Sequence, residues 1–272
     1  MNDPEYAIIG RRIEQLYGID LHCYKSPQMR RRLDAYLLRV KASSWPEYFR
    51  RLDDDPYERQ RFKDYLTINV TSFFRDADKF EVLRKEILPR LLSSNQPLKV
   101  WSAGCSEGPE AYTLAMIIES VAPGQRLRLW ATDIDPVALA KAKAGGPYTA
   151  DAVSGVPAIF LSRYFDAVPG GYQVKPSLQR NITFQEHNLL RDPIRDRFDL
   201  IVCRNVIIYF TEEAKAALFE RFSQALRPDG VLFIGATETI AISLARQLHL
   251  EPIRVSFYRR LQESRTVTIG VR

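Results

Sequence analysis

At 272 residues with 46% hydrophobic side chains, the chain can hold one large domain, or a medium one with a smaller companion, around a sizeable core. Three cysteines without a C-x-x-C pair and three scattered histidines argue against a disulfide framework or a zinc site, so no metal is expected, and the longest apolar runs fall far short of a membrane span. The amino terminus lacks an apolar secretory core, so a cytoplasmic location is expected, and the net charge of +6 points to an acidic partner without naming its kind.

Residues 1 to about 90 contain no convincing strand. Their apolar spacing is helical, with Ile8, Ile9, Ile13, Leu16 and Tyr17, then Leu33, Tyr36, Leu37 and Val40, then Tyr48, Phe49 and Leu52, which predicts a small all-helical domain. Between Lys25 and Arg51 eight basic residues face only Asp34 and Glu47, an excess of +6 that equals the whole chain's. Such a run is either a solvated helix face or a docking face for an acidic helix. Arg30, Arg31, Arg32 and Arg39 are the candidates for docking.

The stretch from Tyr65 to Arg75, YLTINVTSFFR, is too apolar for a routine linker. Asn69, Thr71 and Ser72 can cap or turn the backbone, while Phe73 and Phe74 anchor it and leave Arg75 free to point into a crevice. A simple N-cap before a helix over 76–92 is the alternative.

Leu98 to Trp101 is a short apolar run that breaks into Ser102, Ala103, Gly104, Cys105 and Ser106, after which Ala111, Leu114, Ala115 and Ile118 share a helix face. That is strand, tight turn, helix. In an open parallel sheet the ligand crevice lies at the carboxyl ends of the strands, and small residues from Ala103 onward let a ligand approach the backbone. Leu127 to Thr132 is a second strand and ends at Asp133, before a helix from Val137 to Ala144. An acid there can accept hydrogen bonds from ribose hydroxyls. The turn lacks a G-x-G-x-x-G cradle, and Glu107 and Glu110 sit where a pyrophosphate would lie and would repel it. A nucleoside carrying positive charge fits instead, and S-adenosylmethionine has that character.

Beyond Ala144 the breakers multiply. Gly170-Gly171, flanked by Tyr164-Phe165 and Tyr172-Gln173-Val174, predicts a small antiparallel β-subdomain inserted at about 164–183. Further strands are expected at 182–187, 198–203 and 231–235, with a helix over 212–226 between the last two. An antiparallel pair over 249–260 and a polar tail from about Leu261 complete the chain. The expected fold is therefore α/β: a helical domain over 1–90, then an open, mostly parallel sheet flanked by helices over 91–272.

The segments TINVTSFFRD, WSAGCSEGPEAYTLAM, ATDIDPVALAKA, SRYF, HNLL, FDLIVCRNVIIYF and LRPDGVLFIGATE, in that order, resemble the chemotaxis receptor methyltransferases, the CheR family, over nearly the whole chain. The resemblance implies that 91–272 is a Rossmann-like class I methyltransferase domain, with S-adenosylmethionine as cofactor, S-adenosylhomocysteine as product, and methyl transfer to glutamates on the cytoplasmic helical bundle of chemoreceptors. Carried over residue by residue, it implies cofactor contacts at Asn69, Thr71, Arg75, Glu110, Asp133, Asn188, Leu189, Asn205 and Val206, with Tyr209 nearby. Arg75 and Tyr209 are the candidates for catalysis, and Tyr209 is otherwise a packing residue. The chain departs from the family's usual Thr-Gly-Glu-Glu-Pro-Tyr with Glu107-Gly108-Pro109-Glu110-Ala111-Tyr112. That keeps Glu110 and puts Glu107 in doubt.

Some members of the family are implied to grip a peptide at the receptor's carboxyl terminus through the β-subdomain. Here about 18 residues must supply three strands at roughly 3.3 Å per residue, so no tether is expected, and the enzyme is expected to act as a monomer. Two other readings come from different classes. A nucleic-acid or small-molecule methyltransferase would suit the basic charge but lacks an Asn/Asp-Pro-Pro-Tyr clamp after the fourth strand, so no nucleic acid is expected. Against a module that binds S-adenosylmethionine or its product without catalysis stands the presence together of Arg75, Glu110, Asp133, Asn205 and Tyr209.

Overall fold

The structure, a computed structural model, describes residues 1–67, 69–93 and 96–262. Its first four helices are α1 (Asp3–Tyr17), α2 (Ser26–Arg39), α3 (Trp45–Asp54) and α4 (Pro56–Thr67). Local chemistry sets their ends. The Asn2 side chain accepts the Glu5 N–H, Ser44 accepts the Glu47 N–H, and Gly18 closes α1 at φ 68°. Ile13, Leu33, Tyr48, Leu52 and Phe62 meet in a core that belongs to this helical layer.

The next helical stretch does not join that core. It runs through α5 (Ala77–Val82), a wide π turn over Leu83–Ile87 and α6 (Leu88–Leu91). Phe80, Leu83, Ile87 and Leu88 are buried against the sheet, so the helical layer with its own core ends near Leu66 rather than near residue 90. Periodicity marks a helix face but not which core receives it. The continuous helix expected over 76–92 is interrupted because Pro89 has no N–H and its ring crowds the preceding turn; the Leu88 N–H bonds back to the Leu83 carbonyl.

The remaining elements are β1 (Leu98–Ala103), α7 (Pro109–Val121), β2 (Leu127–Asp133), α8 (Pro136–Ala144), α9 (Ala158–Tyr164), β3 (Phe165–Val168), β4 (Gly171–Val174) and α10 (Pro176–Gln179). After them come β5 (Ile182–Glu186), β6 (Phe198–Cys203), α11 (Glu212–Ala225), β7 (Leu226–Ile234), α12 (Ile242–Gln247), β8 (Leu250–Arg254) and β9 (Phe257–Arg260). Seven strands form one sheet in the order β5-β2-β1-β6-β7-β9-β8, parallel except where β9 runs against β7 and β8. Both faces are covered. Leu98 and Val100 of β1 enter one core and Trp101 and Ala103 the other. The chain leaves β1 for β2 on one side and later sets β6 on the other, so the crevice above β1 is the topological switch point.

The inserted subdomain is smaller than the range 164–183 implied. It has two four-residue strands, β3 and β4, and its third member is a single bridge in which Tyr148 and Tyr172 exchange backbone hydrogen bonds of 2.8 Å. Pro176 starts a helical turn and Ile182 starts β5 of the main sheet. The antiparallel pair over 249–260 is present as β8 and β9. The polar tail expected from Leu261 lies almost wholly outside the described residues.

Candidate active site

A cleft opens over the carboxyl ends of β1, β2 and β6, and its opposite wall is α2 with residues 66–67, 69–72 and 75. Gly104 turns the chain out of β1 at φ +84°, and the N–H groups of Gly104 and Cys105 both donate to the Thr132 carbonyl at 2.8 Å. A Cβ on Gly104 would stand 2.5 Å from Val206 Cγ2. Only glycine lets the exits of β1 and β6 come this close.

Asp133 ends β2 facing this turn. Its Oδ2 accepts the Ser106 N–H at 2.7 Å and its Oδ1 the Asp135 N–H at 3.0 Å, which leaves a lone pair on each oxygen for a ligand hydroxyl. Burial pushes its carboxyl up to about 6, with the two backbone N–H donors opposing. Asp135 is fully buried and holds the linker: it caps α8 and accepts from Asn69 Nδ2 at 2.6 Å and Thr67 Oγ1 at 3.0 Å. Asn69 Oδ1 in turn accepts from the Ser106 hydroxyl at 3.1 Å. Asn69 thus lines the cleft while its amide braces the turn.

Glu110, in the first turn of α7, accepts from Ser102 Oγ at 2.8 Å and pairs with Arg204 Nη1 at 3.3 Å. Burial raises its pKa, and Arg204 and the Ser102 hydroxyl work against that rise. Arg204 was passed over in the sequence, where its only signal was its place at the tip of β6, directly before Asn205. Glu107 turns to Lys141, 2.6 Å away, and does not line the cleft.

Thr71, Arg75, Asn205, Val206, Asn188, Leu189 and Tyr209 all line the cleft. Arg75 is exposed and donates to the Val70 carbonyl at 3.2 Å. Asn188 is more committed than its expected adenine role suggests, because Oδ1 accepts the Leu190 N–H and Nδ2 donates to the Gly18 carbonyl of the helical layer. Ala103 does not line the cleft: it is fully buried and points into the core on the Trp101 side. The Tyr209 carbonyl accepts the Lys25 N–H at 2.9 Å, and the Thr211 N–H donates to the Cys23 carbonyl at 2.9 Å. This short antiparallel bridge brings Lys25, Gln28, Met29 and Arg32 to the cleft wall, where the sequence had placed no site residue except Arg32.

The four docking candidates are not equivalent. Arg30 pairs with Asp3 at 2.5 Å and covers the Tyr6 ring. Arg32 donates to the Tyr65 carbonyl and Arg39 lies over the Tyr36 and Tyr65 rings. Arg31 is exposed. Among the described residues no group of His, Cys, Asp or Glu could hold a metal ion, and no helix is long and apolar enough to cross a membrane.

Two family models match the chain: "CheR methyltransferase, all-alpha domain" over residues 4–67 and "CheR methyltransferase, SAM binding domain" over residues 69–257. The junction between them coincides with the end of the helical layer's own core. The chemotaxis protein methyltransferase of Listeria monocytogenes is 38% identical over 239 residues, covering 88% of this chain and 91% of that protein. Chemotaxis protein methyltransferase 1 of Pseudomonas aeruginosa is 40% identical over 192 residues, covering 67% and 70%. The chemotaxis protein methyltransferase of Borreliella burgdorferi is 34% identical over 239 residues, covering 82% and 84%.

Proposed function

The chain belongs to the CheR methyltransferase family and is an S-adenosylmethionine-dependent methyltransferase, and we propose that it esterifies glutamate side chains on the cytoplasmic helical bundle of chemoreceptors. The observation that carries the reading is the pair of acids, Asp133 and Glu110, on either side of the Gly104 turn. Two carboxylates there disfavour a phosphate and favour a ribose beside an ammonium or sulfonium. The open lone pairs of Asp133, and a turn in which a Cβ would collide with Val206, fit S-adenosylmethionine.

When bound, the cofactor supplies an electrophilic methyl group on a positively charged sulfur. Asp133 would take the ribose hydroxyls and Glu110 the ammonium. Leu189 and Val206 supply apolar wall, and one Asn188 Nδ2 hydrogen remains for a ligand. Arg75, without a carboxylate partner among the described residues, is a fork-shaped donor for the carboxylate of the cofactor or the acceptor. Tyr209 lines the same cleft and can supply a hydroxyl donor.

A glutamate acceptor is already ionised at neutral pH, so the chain need not provide a general base. Its work is alignment, which can contribute on the order of 7 to 11 kcal/mol when the reacting atoms are held in near-attack geometry. The exposed side of α2, with Arg31 foremost, is the face offered to an acidic receptor helix. Calorimetry of S-adenosylhomocysteine binding tests the cofactor half of the proposal: binding that Asp133→Ala weakens supports it, and binding indifferent to that change removes Asp133 from the site.

A further inference from the structure

We infer that Arg204 is a positioning residue of this site, one side chain that holds both the Glu110 carboxylate and the backbone carrying Arg75. The inference deepens the cofactor reading above and rests on it. The Arg204 side chain is only 2% exposed. Its Nη2 donates to Asp76 Oδ2 at 2.7 Å and to the Arg75 carbonyl at 2.6 Å, while Nη1 faces Glu110 Oε2 at 3.3 Å. The guanidinium lies over both the Phe80 and Phe233 rings, 4.9 and 5.0 Å from their centroids.

The segment it grips is one that would not keep its shape unaided. Phe74 and Asp76, on either side of Arg75, stand at φ 52° and 59°, the left-handed region that costs a non-glycine residue conformational energy. Bonds to the Arg75 carbonyl and the Asp76 carboxylate hold that conformation and so aim the exposed Arg75 at the cleft. A planar fork can reach both segments at once, whereas a lysine ammonium reaches as a single point.

Charge supports the same role. Arg204 is the buried cation shared by Asp76 and Glu110, and it also lowers the carboxyl of Glu238, so no single acid here has a full counter-charge of its own and an ammonium at Glu110 would find a partner. The other groups that bear on Glu110 are the Ser102 hydroxyl of β1, the Arg75 cation, and the thiols of Cys105 and Cys203. The thiols are neutral, because burial raises both of them well above the ordinary cysteine value. Arg75 is exposed, so Arg204 is the main cation that opposes the burial-driven rise of the Glu110 carboxyl.

The test compares Arg204→Lys and Arg204→Met with the unchanged protein, reading S-adenosylhomocysteine affinity by calorimetry from pH 6.5 to 8.5 and kcat and KM for methyl transfer, with thermal unfolding as the check on folding. In Arg204→Lys the charge remains and the fork is lost: cofactor affinity should stay within about threefold while kcat falls about tenfold or more. In Arg204→Met affinity should fall about tenfold or more at pH 7 and partly recover as the pH rises, because Glu110 without its cation ionises only at higher pH. A loss equal at every pH, or none, overturns the role at Glu110, and an unchanged kcat in Arg204→Lys overturns the role at Arg75. Should Arg204→Met fail to fold, the lysine variant's split between affinity and kcat decides alone. Failure of the unchanged protein to bind S-adenosylhomocysteine would strike the cofactor reading instead.

Discussion

Asp133 lines the cleft with one carboxyl group whose two oxygens already hold the Ser106 and Asp135 N–H groups. Replacing it with alanine should weaken cofactor binding by about 1.5 to 3 kcal/mol, the range for hydrogen bonds to a charged group; calorimetry on the folded variant reads this directly. The same residue gives a pH dependence. Its carboxyl is pushed up to about 6 in the free protein, and ribose hydroxyls donate to the ionised form, so bound cofactor favours the carboxylate. Affinity should be level above about pH 7 and fall as the pH drops through 6. Affinity unchanged down to pH 5 would contradict this. Asp133 and Glu110 were legible in the sequence because a strand tip and a helix start fix their positions locally. Arg204 was not, since its carboxylate partners Asp76 and Glu110 lie 128 and 94 residues away. Asn188 likewise meets Gly18 across 170 residues, and Ala103 was misplaced only because strand alternation sends it to the Trp101 side.

Among the elements, α2 is where the charge run acquires shape. Arg30, Arg32 and Arg39 are engaged within the helical layer, so Arg31 is the cleanest probe of docking. Arg31→Glu should weaken receptor methylation, and flatten its dependence on salt, while leaving cofactor affinity and thermal stability unchanged, because charges at an interface rim act mainly on encounter. Methylation rates equal to those of the unchanged protein across a salt series would show that the run is a solvated face. The β3–β4 hairpin supports a second prediction. Its four-residue strands offer little edge for strand addition, so a receptor's carboxyl-terminal pentapeptide should show no micromolar binding in a titration. Binding that perturbs residues 170–176 would refute it. The parallel strands were readable as apolar runs ending in small or polar residues, and the first helices from their apolar spacing. The allegiance of α5 was not readable, because the helix pattern is the same whether Phe80 and Leu83 face four helices or a sheet.

At the scale of the whole molecule, the helical layer closes one side of the cofactor cleft. The bridge between 23–25 and 209–211, the Asn188 bond to Gly18, the Arg191 pair with Glu14 and the Thr67 bond to Asp135 fasten it over the sheet. The helix α2 therefore both lines the cleft, through Gln28, Met29 and Arg32, and carries the exposed Arg31. The most direct measurement supplies the protein with methyl-labelled S-adenosylmethionine and a chemoreceptor cytoplasmic fragment, and follows the label. The account predicts label on the fragment in a form that mild base releases as methanol, abolished when the acceptor glutamates are changed to alanine and strongly reduced with Asp133→Ala. Label that resists base, or that enters nucleic acid or a small molecule and not the fragment, would contradict it.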